Sequence, residues 1–257
     1  MRIFVFWALA LVSSAAASAQ TPLAPTGALR AVYLSTNPAQ AIRNVSTGEI
    51  KGASADLARE IARRNNVPLT LTGLPGAFAV IEAVKKGEAD IGFVAPNSER
   101  MGVVAFTQPY MLVQQSLLVR ENAEMKSVAD LDRPGRKVGA NTNDSVAVYL
   151  KSWLKQGALV ESPDFTLQEA VKWLGDGTVD AFGGNRQRLG AAMRGAKGLR
   201  LLPDNLYGVP QTIAVAIDKP ELLAALDKTI DELRASGFLK KAVDDSGVDG
   251  LIVAPPR

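Results

Sequence analysis

Two residue types are absent from this chain of 257 residues: it contains no cysteine and no histidine. Without cysteine there can be no disulfide framework, thiolate zinc site, haem thioether attachment or thiol nucleophile. Without histidine, the commonest general base and the commonest imidazole metal ligand are gone as well. Aromatic residues are sparse, at 6%. The net charge is only +3, and the basic residues are scattered in ones and twos. Such scatter is not the basic stripe of a nucleic-acid interface. No Gly-rich nucleotide loop is present, so neither a cofactor nor a metal is expected. What remains is 47% hydrophobic and 21% charged, with 22 Gly and 14 Pro. Those are globular proportions, with room for one large core or two of roughly 100 residues.

Long apolar runs are also missing beyond the start of the chain. There, Arg2 precedes the apolar stretch Ile3 to Val12, and Ala17-Ser18-Ala19 offers small residues before Gln20. Residues 1–19 therefore read as a secretory signal peptide cleaved near Ala19-Gln20, and the mature protein is expected outside the inner membrane. The stretch is shorter than the ~20 residues a spanning helix needs.

Beyond that leader, short apolar strands alternate with helical periodicity. Leu29 to Leu34 reads as a buried strand, and Ala53 to Asn66 as a helix with Leu57, Ala58, Ile61 and Ala62 on one face. Strands are expected at Pro68 to Leu74, Ala89 to Val94, Ser116 to Arg120, Lys137 to Ala140, Leu159 to Ser162, Val179 to Phe182, Leu199 to Leu202 and Gln211 to Ile217. Between them fall helices at Ala77 to Lys86, Asp144 to Lys155 and Arg186 to Met193, and one opened by the capping box Thr166 to Glu169. Pro220 starts a terminal helix that runs to Ala235. Alternation of this kind gives an α/β fold with mainly parallel sheets.

One unit recurs. Glu82-Ala83-Val84-Lys85 leads to Gly87-Glu88-Ala89-Asp90 and a strand, and Glu169-Ala170-Val171-Lys172 leads to Gly177-Thr178-Val179-Asp180 and a strand. The spacings differ, so two readings stand side by side: chance, or two similarly built lobes with a ligand between them.

Several motifs then occur in a telling order. They are Gly52-Ala53-Ser54-Ala55-Asp56-Leu57-Ala58, Ser98-Glu99-Arg100, Ala105-Phe106-Thr107-Gln108-Pro109-Tyr110, Ser127 to Leu131 with Lys137-Val138-Gly139, Gly177 to Ala181, and Lys219-Pro220-Glu221-Leu222. In this order the chain resembles the periplasmic solute-binding proteins of ABC transporters, in the polar-amino-acid-binding group (extracellular solute-binding protein family 3). The resemblance implies a two-lobed, type II periplasmic-binding-protein-like α/β fold with a hinge and an interlobe cleft. The implied first lobe is discontinuous, residues 28–112 and 212–257, and the second covers 113–211. Hinges are expected near Met111 to Ser116 and Val209 to Ile213. The implied ligand is an amino acid or related small carboxylate, and the implied partners are membrane permease subunits of an ABC importer.

The same resemblance nominates a site. Arg100 stands where the family's arginine grips a carboxylate, a match of planar fork to carboxylate. The competing reading is a solvated arginine at a helix start. Asn97 and the backbone of Ala95 precede Arg100, where the family places a hydroxyl and free amides. Asn143, Asp144 and Ser145 occupy the helix start that offers amides and a hydroxyl to the ligand, although Asp144 also reads as a plain N-cap. Asn185 stands where amino-acid binders carry an aspartate for the ligand's ammonium. Asn37 lies in a first-lobe loop usually rich in aromatics, and Phe78 is a candidate wall. Trp153 and Trp173, at helical spacing among apolar residues, read as core, and Tyr33 has the same option.

No catalytic residue is assigned, and a non-enzymatic, monomeric binder is expected. The alternative is a secreted enzyme on the same scaffold, resembling cyclohexadienyl dehydratases, with Asp144 or Glu99 as the acid.

Overall fold

The computed structural model describes residues 23–97, 100–142, 144–162 and 166–257. The expected signal peptide and its cleavage junction lie outside these residues, as do Ser98, Glu99 and Asn143.

The chain opens with β1 (Leu29–Leu34), a two-residue hairpin β2 (Ile42–Arg43) and β3 (Ile50–Lys51), and helix α1 (Ala53–Arg64). Helix α1 buries Leu57, Ala58, Ile61 and Ala62, the face its periodicity defines. Gly52 starts this helix at φ 136°, and a Cβ there would sit 2.6 Å from the carbonyl oxygen of Gln40. No other residue fits that approach. Next come β4 (Leu69–Leu74), α2 (Ala77–Lys85), β5 (Ile91–Val94) and β6 (Val104–Phe106).

The long strand β7 (Met111–Arg120) leads into a second series. A 3-10 turn at Val128–Asp130 precedes β8 (Lys137–Asn141), α3 (Ser145–Trp153), β9 (Ala158–Ser162), α4 (Leu167–Gly175), β10 (Ala181–Asn185), α5 (Arg186–Gly195) and β11 (Leu199–Leu201). A second long strand, β12 (Tyr207–Ala216), returns to the first series. The chain finishes with α6 (Pro220–Ala235), α7 (Phe238–Asp245) and β13 (Leu251–Val253).

Strand order is β4-β1-β5-β12-β7-β10-β8-β9. The triplets β4-β1-β5 and β10-β8-β9 are each parallel, whereas β12 runs antiparallel to β5 and β7, and β7 antiparallel to β10. The expectation of mainly parallel sheets therefore needs correcting at the centre. Two strands that cross from one lobe to the other in opposite directions must pair antiparallel. Residues Tyr207 to Gln211 of β12 pair with β7, and Thr212 to Ala214 pair with β5. The fold is the two-lobed type II arrangement, with the hinge built from these strands. The buried apolar residues form clusters on either side of it, around Leu57, Phe93 and Ile230 on one side and around Leu117, Leu150 and Phe182 on the other.

The recurring unit has a common structural role. Asp90 N–H donates to Arg30 O at 2.8 Å while its Oδ2 accepts from Arg30 N at 2.8 Å. Asp180 N–H donates to Lys137 O at 2.8 Å while its Oδ2 accepts from Lys137 N at 2.9 Å. Each aspartate clamps the first strand of its own parallel triplet. The capping box at α4 forms only halfway. Thr166 Oγ1 accepts from Glu169 N at 3.2 Å, but the Glu169 carboxylate accepts from Ser162 Oγ at 3.0 Å instead of reaching back to the cap.

Candidate functional site

In open α/β sheets, ligands bind beyond the carboxyl ends of the strands. Here the carboxyl ends of β1 and β5 face those of β8 and β10 across a cleft of about 390 Å3.

Arg100 lines this cleft from the β5 side. It lies in a tight turn and not at a helix start: Asn97 Oδ1 accepts from Arg100 N at 3.0 Å, and Asn97 O accepts from Met101 N at 3.2 Å. The guanidinium Nη1 donates to Ala95 O at 2.6 Å, which holds the half-buried side chain against the cleft wall. Ala95 lines the cleft and contributes the carbonyl that braces Arg100. Asn97 shapes the turn and is not part of the lining. Asn37 does line the cleft, and its Oδ1 accepts from Ala39 N at 3.2 Å in a local turn. Phe78 is 79% exposed, and its neighbour Ala77 forms the wall in its place. Tyr33 is buried in the core.

Across the cleft, Asp144 and Ser145 open α3. Asp144 occupies the N-cap position but makes no side-chain capping bond. Its carboxylate Oδ2 instead lies 3.6 Å from Arg188 Nη1. Burial pushes the Asp144 carboxyl up, and the Arg188 charge opposes that shift. Ser145 Oγ accepts from Tyr207 Oη at 2.8 Å, and the Tyr207 ring stacks on Tyr149 with centroids 4.4 Å apart. Trp153 extends that stack, and Trp173 packs near Phe182, so both tryptophans are packing residues. Asn185 ends β10 in the cleft, where its Oδ1 caps α5 by accepting from Gln187 N at 3.0 Å and Arg188 N at 3.4 Å.

The sequence reading missed the amides and one charge. Gln40 is buried beneath the cleft: its Oε1 accepts from Leu34 N at 3.0 Å, and its Nε2 donates to Gln211 Oε1 at 3.0 Å. Gln115 joins them from β7. Gln115 and Gln211, amides inside the two long crossing strands, were the available signal. Arg188 was missed too, and it had its own signal, an arginine in the first turn of a helix, where the dipole disfavours positive charge.

The family model of the bacterial extracellular solute-binding proteins, family 3, matches residues 29–245. A histidine-binding periplasmic protein of Escherichia coli K12 is 24% identical over 206 residues, covering 76% of this chain and 78% of that one. The structure of an amino acid ABC transporter substrate-binding protein of Streptococcus pneumoniae, bound to L-arginine, aligns with a TM-score of 0.61 at 27% identity, covering 87% of this chain and 96% of that one. An ancestral cyclohexadienyl dehydratase shares the fold at 19% identity, with a TM-score of 0.58 over 85% of this chain and 91% of that one. By the family match, the chain belongs to the bacterial extracellular solute-binding proteins, family 3.

Proposed function

We propose that this chain is the periplasmic substrate-binding component of an ABC importer, and that it captures an amino acid or related small carboxylate by closing two lobes around it. The observation that carries this reading is the shared cleft: Arg100 enters it from one lobe, and Asp144 and Ser145 enter it from the other. A ligand held by both sides stabilises the closed state through contacts the open state does not make. Arg100 would grip the carboxylate as a charge-assisted fork, with the α3 N-terminus and Ser145 completing the cradle.

Residues 28–112 and 212–257 are assigned to one lobe and 113–211 to the other, a division supported by the change of β12 partner after Gln211. Residues 1–19 are assigned to a cleaved signal peptide on the strength of the apolar run Ile3 to Val12. The closed form would be received by membrane permease subunits. The protein acts as a monomer and performs no chemistry on its ligand.

Thermal-shift screening of amino acids, small carboxylates, sugars and metal ions tests the reading, because a ligand bound only by the folded protein raises its melting temperature. A shift with an amino acid or carboxylate is expected, together with a smaller radius of gyration by X-ray scattering. A shift with sugars alone, or turnover of prephenate or arogenate, would overturn it.

A further inference from the structure

Ser145 meets the cleft with a hydroxyl that is already held from behind. Its Oγ accepts from Tyr207 Oη at 2.8 Å, and Tyr207 is not among the described residues that line the cleft. Building on the capture reading above, we infer that Tyr207 is a positioning residue for the ligand. Its phenol fixes the Ser145 hydroxyl so that the serine's own proton is offered to a ligand oxygen.

A serine hydroxyl has one proton to give and two lone pairs with which to accept. With Tyr207 as donor, one lone pair is occupied and the proton is left for another acceptor. Among the described residues none takes it, and Ser145 is exposed where it lines the cleft. This direction requires Tyr207 to stay protonated. Burial pushes its phenol up, against the Ser145 bond and with the help of the Asp144 carboxylate. A phenolate would instead draw the serine proton away from the cleft.

Tyr207 holds α3 at two points. Besides the bond to Ser145, its ring stacks on Tyr149, with centroids 4.4 Å apart, one turn along the same helix. Its backbone belongs to β12, where it pairs with Gln115 of β7. The helix start that presents Ser145 is therefore tied to the two crossing strands. Packing needs only the ring, which lies with Tyr149 and Leu206 against the apolar cluster around Leu117 and Leu150. The hydroxyl adds nothing to that packing, and its partner is the one cleft residue it reaches.

A double-mutant cycle tests the assignment. Wild type is titrated by calorimetry with each of the common L-amino acids, and the tightest binder becomes the probe for Tyr207→Phe, Ser145→Ala and the double variant. Ser145→Ala should weaken the probe about ten- to a hundredfold, the scale of a hydrogen bond to a charged group. Tyr207→Phe keeps the stack on Tyr149 and should weaken it about three- to tenfold, the scale of one neutral hydrogen bond. In the Ser145→Ala background the same change should alter affinity less than about twofold, because the residue it acts through is gone. Melts without ligand should place Tyr207→Phe within about 4 °C of wild type. Near-wild-type affinity in either single variant, or an equal loss from Tyr207→Phe with and without the Ser145 hydroxyl, overturns the positioning role and leaves capture of amino acids standing. Binding of no amino acid by the wild-type protein removes amino-acid capture and this role with it.

Discussion

Replacing Arg100 with alanine separates the two roles this side chain can have. In the ligand-free protein the donor to Ala95 O is lost from a half-buried wall, while the bond to Asn97 Oδ1 uses the backbone of Arg100 and is kept. A single hydrogen bond of this kind contributes about 1 kcal/mol net. In a protein of this size that lowers the melting temperature by about 2–4 °C. In the liganded state the loss is larger, because lobe closure removes the ligand carboxylate from water with no counter-charge. Truncating one partner of such a pair costs about 2–5 kcal/mol, or roughly 30-fold to several thousand-fold in affinity. Arg100→Lys should recover part of this, since an ammonium keeps the charge but loses the planar fork. The assay is titration of wild type, Arg100→Ala and Arg100→Lys with both L-glutamate and L-glutamine. A surface arginine outside the site would change affinity by no more than about 0.5 kcal/mol. Near-wild-type binding by the alanine variant would remove Arg100 from the site.

Three further outcomes follow from the packing. Asp90→Ala should destabilise by about 3 kcal/mol in urea unfolding, since the 4%-exposed carboxylate holds both Arg30 N–H and its guanidinium, whereas Asp180→Ala, with a 24%-exposed carboxylate, should cost about half as much. Equal losses would refute the burial argument. Glu60, held by Arg63 and then Arg64, has its carboxyl lowered from 4.5 to about 2. Its contribution is fully present above pH 4.5 and is lost as pH falls towards 2. Arg63 is 72% exposed, so the contribution is only about 1 kcal/mol, and the stability gap between wild type and Glu60→Gln should vanish across that window. Gln40→Leu should cost about 1–3 kcal/mol, because it strands the buried Gln211 Oε1 and the half-buried Leu34 N–H; a neutral result would mean that water reaches both groups.

Element positions were legible where local chemistry and tertiary packing agree. β1 and α6 keep the bounds read from the sequence, the first as an apolar run and the second between Pro220 and the left-handed Gly237. β7 was cut short because Gln114-Gln115 interrupts its apolar run, yet the strand continues through both residues as it crosses from lobe to lobe. Its pairing with β12 and β13 overrides the local break. The hairpin β2–β3 and the strands β6 and β13 are only two or three residues long, and their existence depends on the partners that recruit them. Helix α7 buries Leu239, Ala242 and Val243 against the rest of the first core and was readable, but it lies beyond the last motif.

The site was less legible than the fold, and the reason lies in what the motifs do. Ser54 Oγ sits 2.6 Å from Tyr110 Oη in the core, and burial pushes the Tyr110 phenol well above its ordinary range. Thr107 Oγ1 accepts from Ile213 N at 2.9 Å, and Gln108 N donates to Asp227 Oδ1 at 2.6 Å. Asp90 and Asp180 clamp strands. Ser54, Thr107, Gln108, Tyr110 and Asp180 carry the resemblance, and each of them holds scaffold together. The cleft is where the chain departs from the pattern: an asparagine at 185, an aspartate at 144, no aromatic lining among the described residues, and Arg188 paired with Asp144, a residue far from it in sequence. Motif matching therefore recovers the hinge-and-lobe framework, because folding constrains those positions to a few side chains. Ligand choice sits in the residues the framework leaves free to vary, and only their arrangement in three dimensions shows that two arginines and one aspartate face the same space.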